Sequence, residues 1–77
     1  MLDRDALQLE LAAADRRVKD AEDRIAELER AIVRASSVGL NTKAALEAMP
    51  AMERALYVFR AYRDRVKQSL AAPVEQR

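Results

Sequence analysis

From Leu7 onward the apolar residues Leu7, Leu11, Ala14, Val18, Ala21, Ile25, Leu28, Ile32 and Ala35 recur at alternating steps of four and three without a miss. A strand would alternate with period two. A four-three alternation held this long describes a helix packed along a left-handed coiled-coil seam. Leu11, Val18, Ile25 and Ile32 take the a positions, and Leu7, Ala14, Ala21, Leu28 and Ala35 the d positions. On the exposed face, Asp15 with Lys19 and Asp20 with Arg24 place acid before base at a spacing of four. Such pairs support a helix by a few tenths of a kcal/mol each.

Gly39 is the only glycine, and it follows Ser36, Ser37 and Val38 where the first helix must stop. A glycine just past a helix end accepts the left-handed conformation that closes the last turn. Asn41 or Thr42 can then cap a second helix. Its apolar positions Met49, Met52, Leu56, Phe59, Val66 and Leu70 keep the same spacing, with Arg63 interrupting the a series and Ala55 and Tyr62 widening the stripe. Pro50 lies inside this pattern and removes one backbone donor, which predicts a kink or a short helix over 42–48 restarting at Pro50. Pro73 ends the helix.

The expectation is therefore an all-α, antiparallel two-helix hairpin over 1–73, with helices at about 3–37 and 42–71, a turn at about 38–42 and a flexible tail at 74–77. If the chain reverses near residue 40, facing residues have numbers summing to about 80. Ile32 then meets Met49, Leu28 meets Met52, Ile25 meets Leu56, Ala21 meets Phe59, Ala14 meets Val66 and Leu11 meets Leu70. Small residues thus oppose large ones, as dense packing requires.

Size argues that one hairpin is not enough. A chain of 77 residues buries only about 60% of its extended surface, and small folds usually need a disulfide, a metal or another subunit. With no Cys and no His, disulfides, ordinary zinc sites, haem and iron–sulfur ligation, thiol chemistry and an imidazole base are all excluded. Self-association or binding to a larger protein partner is what remains. Ala55, Leu56, Tyr57, Val58 and Phe59 are five consecutive apolar residues that point most of the way round a helix, so they cannot all face the first helix. Leu2, Ala6, Leu9 and Ala13 make a short second stripe on the first helix. Dimerisation into a four-helix bundle would cover both, with Ala55, Tyr57, Val58, Phe59, Tyr62, Leu2 and Leu9 at the interface.

The segments Asp15-Arg16-Arg17-Val18 and Asp23-Arg24-Ile25, then Gly39, Asn41, Thr42 and Ala45, then Arg63-Asp64-Arg65, resemble a widespread set of small uncharacterised proteobacterial helical-hairpin proteins over residues 11–70. The resemblance implies a capping role for Asn41 and Thr42 and a second helix closed by the Arg63-Asp64-Arg65 triplet. It carries no activity. The His that such proteins often have is missing here.

Catalysis finds little support. Ser36, Ser37 and Ser69 have only Lys43 or Lys67 as bases and no motif to hold them. Glu22, Asp23, Glu27 and Glu29 are interleaved with Arg24 and Arg30 and read as solvated ion-pairing positions, not as cation ligands. Neither enzyme activity nor a cofactor is expected. The alternative is nucleic-acid binding by Arg54, Arg60, Arg63, Arg65 and Lys67, five cations with one acid, Asp64, in a single helical stretch. Against it, Arg60 can pair with Asp64, and the two halves of the chain are complementary, with seven bases and nine acids in 1–38 and seven bases and four acids in 39–77. No run of apolar residues approaches the ~20 of a membrane span or the length of a secretion signal, so a cytoplasmic protein without a membrane partner is expected. The leading expectation is a homodimeric module for protein–protein interaction, serving as scaffold, adaptor or small regulator.

Overall fold

A computed structural model describes residues 3–72. Leu2, Pro73 and the tail 74–77, to which the sequence assigns an interface, a helix stop and flexibility, lie outside the described residues. Two helices, α1 (Arg4–Ser37) and α2 (Lys43–Ala71), pack side by side as an all-α hairpin with no strand among the described residues.

Local chemistry accounts for each helix end. The Asp3 carboxylate accepts the Ala6 backbone N–H at 2.7 Å and so caps α1, while Asp5 in the first turn complements the helix dipole. At the other end Gly39 adopts φ +80°. Its N–H bonds to the Ser36 carbonyl at 3.1 Å and the Leu40 N–H to the Ala35 carbonyl at 2.9 Å, the paired closure of a Schellman motif. The Val38 N–H is also bonded, at 3.2 Å to Ala35. Of the two capping candidates for α2, Thr42 holds the N-cap position but makes no side-chain cap bond, and the Asn41 side chain instead accepts from the Lys43 N–H at 2.9 Å.

Of the two outcomes expected at Pro50, the restart of a divided helix is not seen, because α2 runs unbroken through it. The bond a proline forfeits belongs to the carbonyl four residues earlier, here Leu46. Both Leu46 and Pro50 are exposed, so water is at hand for that carbonyl and the helix continues.

All of the seam positions named on both helices are buried or half-buried, including the charged Arg63. Ala14, Val18, Leu56 and Val66 are the buried core, whereas Leu11, Ile25, Leu28, Ile32, Met52 and Leu70 are half-buried. The molecule is a rod of 61 × 16 × 14 Å. Its radius of gyration of 17.8 Å far exceeds the ~11 Å of a compact chain this long, so two helices alone enclose little volume. Ala55 does not widen the stripe; it is exposed, being turned away from α1 beside the buried Leu56.

Candidate interaction surfaces

The two long edges where the helices meet are polar. On one, the Arg60 guanidinium donates to the Glu22 carboxylate at 2.8 Å. On the other, the Tyr62 hydroxyl donates to Glu10, and the Arg65 guanidinium lies over the Tyr62 ring at 5.8 Å from its centroid. The bond to Glu10, then partial burial and the Glu10 charge, raises the Tyr62 pKa above its ordinary value, while Arg17 and Arg65 oppose the rise. Arg4 reaches from α1 to the Leu70 carbonyl at 2.9 Å, tying the open end of the rod.

These partners differ from those the sequence suggested. Arg60 bonds across the hairpin and not to Asp64, which instead accepts from Arg63 at 3.3 Å. Lys19 meets Asp23 at 3.5 Å and not Asp15, and Asp20 with Arg24 makes no ion pair among the described residues. Arg60 can stretch from α2 to Glu22 because antiparallel packing sets them side by side, a proximity that a spacing rule within one helix does not see.

Of the residues assigned to a dimer interface, Tyr57, Val58, Ala55 and Leu9 are exposed. Phe59 and Tyr62 are half-buried against α1, where Phe59 and Ala21 line one cleft of about 170 Å³ with Arg17, Asp20 and Arg24. Phe59 therefore stands beside Ala21, the pairing that a reversal near residue 40 requires. Among the five candidate nucleic-acid contacts, Arg60 and Arg63 are taken up in pairs, while Arg54, Arg65 and Lys67 are exposed and in no ion pair among the described residues.

A further apolar surface went unnoticed in the sequence. Val33, Val38, Leu40 and Leu46 are exposed around the turn, and an open groove of about 400 Å³ beside them is lined by Ala26, Glu29, Arg30, Val33 and Arg34. Its signal was available: four large apolar side chains off the heptad seam within fourteen residues. Among the described residues, no group of His, Cys, Asp and Glu is placed to hold a metal ion, and no helix is long and apolar enough to cross a membrane. The chain matches no protein family, no curated protein and no solved structure.

Proposed function

We propose that this chain is a non-catalytic, homodimeric protein–protein interaction module of the cytoplasm, acting as a scaffold, adaptor or small regulator. The supporting observation is the mismatch between a core of four buried side chains and an outward surface on which Tyr57 is 74% and Val58 60% exposed. A second hairpin laid along the outer side of α2 would cover that surface and complete a four-helix bundle. The polar residues at the hairpin edges pair with one another, which suits a structural module better than a reaction centre.

Sedimentation equilibrium is expected to give a dimer, with a melting temperature that rises with protein concentration as mass action requires. Val58→Glu combined with Arg60→Ala should yield a partly unfolded monomer, because a carboxylate buried in the belt without a partner costs several kcal/mol. A monomer at micromolar concentration with a concentration-independent melting temperature overturns the reading.

Nucleic-acid binding is the second reading, favoured by Arg54, Arg65 and Lys67, which are exposed and in no ion pair among the described residues. It requires affinity that falls steeply with salt. A salt-insensitive partner would leave the protein-binding module standing.

A further inference from the structure

We propose that the turn end of the hairpin docks on the surface of an anionic lipid bilayer. Four of the seven large apolar side chains that the described residues expose, Val33, Val38, Leu40 and Leu46, are gathered around Gly39. At the apex itself Val38 is 71% and Leu40 63% exposed. Val38 and Leu40 do not line the groove that Val33 borders, and apolar side chains at the tip of a rod can enter the boundary between headgroups and acyl chains, as interfacial segments do.

Charge selects the kind of surface. Residues 30–46 contain Arg30, Arg34 and Lys43 and no acidic residue. All three cations are exposed, and none is in an ion pair among the described residues. Arg34 precedes Gly39 by five residues, or ~7.5 Å of helix rise, and Lys43 opens α2 on the other side of the turn. With the apex immersed by the 5–10 Å usual for interfacial segments, about the same depth, both cations would stand at the level of lipid phosphates.

The backbone donors at the apex are already bonded. The N–H groups of Val38, Gly39 and Leu40 are all bonded to carbonyls of the last turn of α1. Immersing these three residues therefore orphans no donor among them, while their carbonyls, which accept no bond among the described residues, need the headgroup water that a shallow, interfacial depth retains. The want of a membrane span concerns crossing, and span length was the ground on which no membrane partner was expected; surface docking needs no span. The proposal is also independent of dimerisation, since the outer face of mid-α2 and the turn are different parts of the rod.

Co-sedimentation with vesicles of equal parts phosphatidylglycerol and phosphatidylcholine, at low salt, tests it. Wild type should pellet with these vesicles and not with pure phosphatidylcholine. Leu40→Asp, and separately Arg34→Glu with Lys43→Glu, should each lower the partition coefficient by about tenfold or more while helical circular dichroism is unchanged. Reversing as much charge at the other end, with Arg65→Glu and Lys67→Glu, should lower it far less. Leu40→Trp, in a chain with no tryptophan, should shift its emission to the blue on mixing with the anionic vesicles. Failure of wild type to pellet, equal loss from the remote reversal, or an unshifted emission overturns the proposal. So does binding to an acidic amphipathic peptide without binding to vesicles.

Discussion

The two ends of the hairpin share one heptad spacing and differ in how well it is covered. Ala14, Val18, Leu56 and Val66, the buried residues, all lie outside the segment 25–55 that surrounds the turn. The side-chain hydrogen bonds that cross between the helices, Arg60 to Glu22, Tyr62 to Glu10 and Arg4 to the Leu70 carbonyl, lie outside it as well. Within the segment the seam residues Ile25, Leu28, Ile32, Met49 and Met52 are only half-buried. Flanking residues explain the contrast. Toward the termini the seam is bordered by Glu10, Arg17, Glu22, Arg60 and Tyr62, whose long stems can lie along apolar surface while their polar ends stay wet. Toward the turn the edge of Glu10, Arg17 and Tyr62 continues into Ala31, Ala48 and Ala55, too short to cover much, and the edge of Glu22 and Arg60 into Glu29 and Glu53, whose like charges cannot pair across the seam. A seam is buried by its borders as much as by its own residues.

The largest test of this contrast is a pair of core truncations. Leu56→Ala removes a buried side chain where the borders hold the structure around it, and should cost about 2–4 kcal/mol by urea denaturation. Met49→Ala in the open segment should cost about 1 kcal/mol, since a half-buried methionine has less to lose and its surroundings can relax. Equal costs would show that the two ends are equally well packed. A smaller effect is expected at the turn. Gly39→Ala should destabilise by about 1–2 kcal/mol, because a Cβ at φ +80° is strained although nothing stands within 4 Å of it. Thermal denaturation checks the value, and an unchanged melting temperature would mean that the turn relaxes freely.

These features were unequally legible in the sequence. The hairpin followed from two runs of apolar residues at coiled-coil spacing and the lone Gly39 between them, because periodicity and a glycine stop are both local signals. The Asp3 cap was equally local, an Asp just before the first periodic turn, and could have been read. The Glu22–Arg60 and Glu10–Tyr62 contacts could not be read from spacing within one helix, since each depends on the side-by-side register of two helices. The exposed apolar turn was hidden for another reason. Val33, Val38, Leu40 and Leu46 fall off the heptad positions, and a search for the seam passes over whatever does not belong to it. At Pro50 the local rule allowed a restart that does not occur, and the freed carbonyl lies on the wet side of the helix.

If bordering residues decide burial, the open segment should respond to longer ones. Ala31 and Ala48 fall opposite each other by the register that brings Ala21 to Phe59. Ala31→Glu with Ala48→Arg would lay a cross-helix pair over Leu28 and Met52, as Glu22 and Arg60 do farther along. The double variant should gain up to about 1 kcal/mol, the upper range for an exposed pair. Each single variant should gain less, and a double variant no more stable than the parent would separate burial from bordering.

The smallest effect is a titration, and it isolates one border residue. Tyr62 donates to the Glu10 carboxylate, so losing its proton both breaks that bond and sets two negative charges together. The folded state therefore holds the phenolic proton more tightly than the unfolded chain does, and the Tyr62 pKa lies above the ordinary 10.0. The sign for stability follows from proton binding: the contribution is fully present below the ordinary tyrosine value and is lost as pH rises through the raised folded one. With Tyr57→Phe leaving Tyr62 as the sole tyrosine, its ultraviolet titration midpoint should stand above 10.0. Adding Glu10→Ala should bring the midpoint back down, because it removes both the accepting oxygen and the charge, and Arg17 and Arg65 nearby then favour the phenolate. A midpoint indifferent to Glu10 would mean that this border is open in solution, and that the terminal end is covered no better than the turn.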